Sequence, residues 1–317
     1  ESMSIIAVGP VAKEWTSVKR ITNLVDITTI LNAAAAAAKD VDQTVDTRSG
    51  PRRLIIKQVL DYLGATAAMQ VWFGPADETP PPARSCAAIN ASFDTLMIRH
   101  NEDSWLMSAN NLDGYYNEHS FPFWFEKSVR FNDAANWFDV YTSGDAESIA
   151  EKKLVSHDNT VLHDDGHLMN WVGHLKAPKN KADGLPIIMH DVTDGCAPVI
   201  GPLETLLITS QRASAEVAQA LIAYSETSGT PGICFWLAPP PIWVARDGVD
   251  LIHPDDMEAL NRARAVLGAD QPGQSTTVPT RVRGDDGGWV QTEIQCSRHP
   301  GPVGDRLHVV AIRRTAS

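Results

Sequence analysis

DDGHLMNWVGHL (residues 164–175) and DDGGWVQTEIQC (residues 285–296) align without a gap at an offset of 121. Each opens on Asp-Asp-Gly, a turn signal, and continues as a run of strand-forming residues, so each is read as the turn and second strand of a hairpin. Further upstream, DVYTSGDAESIA (139–150) aligns with DLIHPDDMEALN (250–261) at an offset of 111, sharing Asp139/Asp250, Asp145/Asp256 and Glu147/Glu258. An insertion of ten residues in the second copy accounts for the change of offset. Both copies then carry a Gly-containing loop and one last strand that ends in Thr. Each copy therefore reads helix, strand, Asp-Gly turn, strand, loop, strand. That order builds an antiparallel sheet with flanking helices, and the fold class is α+β. A repeat of about 110 residues is the size of a domain, not of a solenoid unit.

Around the first turn we expect a helix at 144–154, strands at 155–163 and 167–176, and a last strand at 185–190. Around the second, a helix starts at His253-Pro254-Asp255-Asp256, where proline and acidic residues suit a first helical turn. Strands at 276–283, 288–296 and 306–313 follow. Further strands are expected at 88–99, 104–108, 232–237 and 242–245. Residues 194–202 read as a linker and 203–226 as a long helix. Its heptad-like positions Leu203, Leu207, Ser210, Ser214, Val217, Leu221 and Tyr224 make it a candidate homodimer interface. N-terminally, 4–8 reads as a strand, 24–38 as a helix, and 53–62 with 66–73 as a hairpin broken at Gly64. Pro80 to Pro82 end that region, because proline continues neither a ladder nor a helix. The expected units are 3–80, 84–194, and 203–317, the last comprising the linker helix and a C-terminal module.

The 317 residues carry a net charge of −12 with scattered basic residues, which argues against a nucleic-acid or anionic-membrane partner. No leader is visible, and no apolar run approaches the length that spans a bilayer, so a cytoplasmic location is expected. Glu1-Ser2 precede Met3, which reads as the initiator. Four cysteines without a CxxC pair read as reduced thiols.

His253–Asp256 together with RGDDGGW (283–289) resemble the second half of a PAS domain. Asp191-Val192-Thr193 resembles the exit motif of such a module, with Asp191 and Thr193 as its polar residues. QVWFGPADETPPP (70–82) resembles a stretch found in a divergent actinobacterial, mycobacterial-type family of sensor-only proteins described as PAS–GAF–PAS. The resemblance implies three tandem PAS/GAF-like modules. It labels the middle one GAF, whereas the internal repeat makes it PAS-like, and both labels stand at this point.

His157, His163 and His167 lie around the first Asp-Asp-Gly turn, and histidine beside carboxylate suits zinc or iron. The second copy keeps the turn and lacks the histidines, so the turn reads as structural and no metal is assigned. Walker, GxSxG and HExxH patterns are absent. The aromatic residues Phe123, Trp124, Trp137, Trp171, Phe235, Trp236 and Trp243 are candidates for lining a ligand cavity. Four residues follow the last expected strand, so output is expected through protein contact. The resulting expectation is a non-catalytic sensor or scaffold with no cofactor, binding a small apolar ligand or a protein partner. The alternatives are a metal-dependent enzyme using His157, His163 and His167, and a structural interaction module without a ligand.

Overall fold

The two Asp-Asp-Gly turns close their hairpins in the same way. The His163 amide donates to the His167 carbonyl at 2.9 Å and Gly166 to His163 at 2.9 Å; Gly284 donates to Gly288 at 2.8 Å and Gly287 to Gly284 at 3.0 Å. Asp165 and Asp286 each accept the amide two residues on, from His167 at 3.1 Å and Gly288 at 2.8 Å. Gly166 (φ 92°) and Gly287 (φ 79°) occupy backbone that glycine adopts without a Cβ penalty. The repeat read from sequence is thus a repeat of bonding.

The computed structural model describes residues 3–18, 27–92, 94–131, 156–175, 184–202, 216–225, 229–248, 250–267, 274–300 and 303–315. A hairpin of β1 (Ser4–Val8) and β2 (Val11–Ser17) leads to α1 (Thr28–Ala37) and a meander of β3 (Val41–Thr47), β4 (Gly50–Leu60) and β5 (Thr66–Pro75). Leu31 and Ala34 of α1 pack with Leu54 and Ile56 of β4 in a first core. The chain continues through β6 (Cys86–Ser92), β7 (Met97–His100), α2 (Glu102–Leu106), β8 (Glu118–Ser120), α3 (Phe121–Trp124) and β9 (Ser128–Phe131). The first repeat hairpin is β10 (Ser156–Leu162) with β11 (Leu168–Leu175), followed by β12 (Leu185–Asp191). Next come β13 (Val217–Tyr224), β14 (Pro231–Trp236), α4 (Met257–Val266), β15 (Ser275–Arg283), β16 (Trp289–Arg298) and β17 (Leu307–Arg314).

One sheet runs β8-β7-β6-β12-β11-β10-β9 and another β14-β13-β17-β16-β15. With its two outer strands set aside, the first reads β7-β6-β12-β11-β10 and matches the second strand for strand. Every pairing is antiparallel, with α4 against its sheet, so the protein is α+β with several antiparallel sheets and flanking helices. The start of α4 follows its sequence signals. His253 accepts the Asp255 amide at 3.2 Å, and Asp256 holds Arg281 through its backbone amide (2.7 Å) and guanidinium (3.0 and 2.8 Å). Those Arg281 bonds also hold the Asp256 carboxyl below its ordinary range.

Several expected elements differ. Residues 217–224, expected in a helix over 203–226, form the interior strand β13, between β14 and β17; residues 203–215 lie outside the described residues. The proposed dimer helix therefore loses its second half. Leu221 and Ala223 point into the core beneath the seven-stranded sheet, and Ala218, Ala220, Ile222 and Tyr224 into the core of the five-stranded one. A strand buried on both faces shows a continuous apolar run, which periodicity does not separate from a helix. Residues 104–108, expected as a strand, lie in and after α2, because Asn101 caps that helix by accepting the Ser104 amide at 3.1 Å. The span 88–99 is split into β6 and β7 by a turn in which Leu96 has φ 54°. Residues 242–245 make one isolated bridge, Val244 to Gly284, instead of a strand. The expected helix at 144–154 lies outside the described residues. Among the described residues no helix is long and apolar enough to cross a membrane.

Candidate functional site: a histidine pair under an aromatic shell

His100 ends β7 and His119 sits on β8, where Ile98 pairs with His119 and the His100 amide donates to the Asn117 carbonyl at 3.0 Å. That register puts the two imidazoles diagonally on one face, within the reach of diagonal cross-strand neighbours. Their centroids are 5.2 Å apart and their planes 23° from parallel. Both are buried, at 0% and 1% exposure. Phe123 stacks on His119 at 4.4 Å, Trp105 on its ring at 5.2 Å, and Trp124 lies 4.6 Å from His100. Tyr115 meets His100 edge-on at 5.5 Å.

The Nδ1 of each ring is occupied. His100 Nδ1 faces the Asn101 carbonyl at 3.2 Å, and His119 Nδ1 faces Asp247 Oδ2 at 2.7 Å. Asp247 comes from the loop after β14, 128 residues along the chain from His119. Its other oxygen accepts the Ser120 amide at 2.7 Å and the Ser120 hydroxyl at 2.6 Å. Burial pushes the Asp247 carboxyl up, but the bonds from His119 and Ser120 outweigh it and the net displacement is downward. Arg246 beside it reaches Glu126 at 2.8 Å, a second bond between the two sheets. Both Nε2 atoms, by contrast, are buried without a hydrogen-bond partner among the described residues. Burial, with the neighbouring His119, pushes His100 down to about 4, so its ring is neutral at pH 7.

The loop after α2 closes this nest from outside. Trp105 Nε1 donates to the Asn111 carbonyl at 2.8 Å. Lys127 bonds the Ser108 carbonyl at 3.0 Å and Asp164 at 2.6 Å, and the Asp164 amide donates to Ser108 at 3.1 Å. The first repeat turn therefore clasps the loop that covers the histidines.

On that same turn, His163 Nδ1 lies 3.0 Å and His167 Nδ1 2.5 Å from Asp165 Oδ1, with the rings stacked at 4.5 Å. One ligand atom from each residue falls within 4.8 Å of the others, which is metal-ligating spacing. The bond from the His167 amide leads the effects that hold Asp165 down at about 2. Asp286 does the same backbone work in the second turn, where glycines replace both histidines. His157 lies on β10, and its side chain is outside the described residues.

A third feature is a cavity of about 460 Å3 between α4 and the end of β16, lined by Asn261, Arg264, Ala265, Leu267, Arg298 and Asp305. Arg264 lies over the Tyr224 ring at 4.9 Å, and its Nε donates to the Asp305 carbonyl at 2.6 Å. Neither arginine forms an ion pair among the described residues. Tyr224 bonds His308 Nδ1 at 3.2 Å, and His308 Nε2 is buried without a partner among the described residues. Burial, then the charges of Arg264 and Arg298, push His308 down to about 4.

The expected ligand-lining rings are dispersed. Phe123 and Trp124 stand around the histidine pair. Trp171 is buried under the seven-stranded sheet, and half-buried Phe235 lies 5.7 Å from Phe125 at the junction of the two sheets. Trp236 and Trp243 pack in the C-terminal core, and Trp137 lies outside the described residues. Thr193 bonds Asp191 through its amide (2.9 Å) and hydroxyl (2.5 Å), while its hydroxyl accepts the Asn170 amide at 2.9 Å. Those bonds finish a strand. Sequence reasoning missed His100, His119 and Asp247. Asn101-x-x-Ser104 was the one local signal near them, since it marks a helix start just after His100.

Residues 1–82 match the family described as Rv3651-like, N-terminal. A crystal structure of an uncharacterized protein from Mycobacterium tuberculosis superposes with a TM-score of 0.71 at 17% identity, over 99% of this chain and 93% of that one. At that identity the likeness shows the fold alone. The structure of an RNA-binding light-oxygen-voltage receptor aligns over 72% of this chain and 95% of that chain at 9% identity, with a TM-score of 0.25 that carries no argument. No curated protein matches the chain.

Proposed function

We propose that the chain is a non-catalytic sensor or scaffold of three PAS/GAF-like modules, spanning 3–80, 84–194 and 203–317, that binds a small anion and signals by protein contact. The observation that carries this reading is the cavity beside α4, which Arg264 and Arg298 line together with Asp305, neither arginine having an ion-pair partner among the described residues. Two guanidinium groups at one concave site suit a carboxylate or phosphate, and a small anion is the ligand this reading assigns. The Asp247 and Arg246 bonds supply a route from that module to the middle one, since a ligand that favours one arrangement of the joint shifts its population. Thermal unfolding with inorganic phosphate and with succinate tests it. A binding anion at about 100 times its Kd adds about 2.7 kcal/mol of stability, and Arg264→Ala with Arg298→Ala abolishes the gain. No stabilisation by either anion overturns the ligand assignment.

A metal-dependent enzyme is the second reading, favoured by the ligand spacing of His163, Asp165 and His167. Elemental analysis decides it: stoichiometric metal that disappears in a His163→Ala, His167→Ala variant supports it, and no metal removes it.

A further inference from the structure

Two imidazoles lie side by side in the nest, each with Nδ1 engaged by an acceptor and Nε2 buried without a partner among the described residues. A carboxylate and a carbonyl cannot donate, so the Nδ1 atoms hold the ring protons. In a neutral ring that leaves the lone pair on Nε2. A buried acceptor with no donor is costly, and here two such acceptors share one face 5.2 Å apart by centroid. The arrangement around them has a recognisable chemical logic. Histidines that ligate a metal donate their other ring N–H to a carboxylate or a backbone carbonyl, which fixes tautomer and orientation. His119 does so to Asp247, and His100 to Asn101.

The geometry points to a transition-metal site in which His100 and His119 ligate one copper or zinc ion through Nε2. Imidazole nitrogen suits both metals. Two neutral ligands, one carboxylate behind them and an aromatic shell place copper(I) ahead of zinc(II), because a single positive charge needs less compensation in an apolar setting. The aromatic rings exclude water and oxidant, and Lys127 and Asp164 hold the loop that closes over them. Asp247 is a positioning residue: it comes from the loop after β14, so metal occupancy and the joint between the two sheet regions are linked. The site is separate from the Arg264–Arg298 cavity, and its test is independent of anion binding.

The test uses the full chain carrying His163→Ala and His167→Ala, which removes the competing ligands on the turn. It is stripped with chelator, then titrated with copper(I) under a competing chelator and with zinc(II). The expected result is one equivalent bound, with affinity at least tenfold lower in His100→Gln and His119→Gln. Asp247→Asn is expected to lower affinity 10–100-fold while still binding one equivalent. Should the glutamine variants not fold, X-ray absorption of the loaded chain gives the answer directly: two imidazole nitrogens at about 2.0 Å support the site. The proposal is overturned if neither metal binds once the turn histidines are gone. It is also overturned if the absorption spectrum lacks an imidazole pair, or if a single water is found bridging both Nε2 atoms and excludes metal.

Discussion

At the scale of single residues, the molecule concentrates its unusual chemistry on His100, His119 and Asp247. Asp247 accepts three bonds from the neighbouring sheet, two of them from main-chain or side-chain groups of Ser120. Bonds to a charged acceptor contribute more than neutral ones. Asp247→Ala should therefore lower stability by about 2 kcal/mol or more in urea unfolding, and Asp247→Asn by less, since an amide still offers an oxygen. Unchanged unfolding for Asp247→Ala would remove the carboxylate as the joint between the sheets. Phe123 and Trp124 were legible as part of an aromatic run. The histidines they surround were not, because nothing in the spacing of His100, His119 and a distant aspartate marks them as neighbours. The pairing of β7 with β8 brings the histidines together, and the approach of the loop after β14 adds Asp247.

At the scale of elements, the hairpins around Asp164–Gly166 and Asp285–Gly287 were readable because turn chemistry is local and needs no tertiary partner. The start of α4 was readable for the same reason. β13 was not. Its sequence VAQALIAY is buried from both sides, and its apolar residues satisfy a helical spacing as well as a strand. Burial in two cores, not propensity, selects the strand. Ile222 is fully buried on the C-terminal side of β13, so Ile222→Ala should cost roughly 2–5 kcal/mol through lost burial and the cavity left behind. Hydrogen exchange supplies a complementary check: the amides of 218–223, paired to β14 and β17, should be among the slowest to exchange. Fast exchange there would contradict an interior strand at β13.

At the scale of the whole molecule, the sequence repeat anticipated two similar antiparallel sheets, but not that β13 packs into the cores of both or that polar bonds join them. Contacts of that kind join residues more than a hundred positions apart, and no local pattern encodes them. Acid sensitivity belongs to this scale, because buried histidines are spread over both sheets. Burial pushes His174 and His308 to about 4 from an ordinary 6.5. Between those values the unfolded chain binds more protons than the folded one, so stability is complete above pH 6.5 and falls as pH drops toward 4. The loss should be on the order of 1 kcal/mol or more per histidine, read as a falling urea midpoint across that window. A flat midpoint would mean that both rings are solvated. Because β13 packs into both cores, the order of synthesis matters. The core beneath the seven-stranded sheet takes in Leu221, Cys234, Val303 and Leu307, so its last members leave the ribosome well after β12 has been made. At roughly 5–20 residues per second that is a wait on the order of ten seconds. Throughout it the apolar face that Leu221, Cys234, Val303 and Leu307 will cover stays exposed on the nascent middle sheet, so emergence of β17 is the event that completes this core.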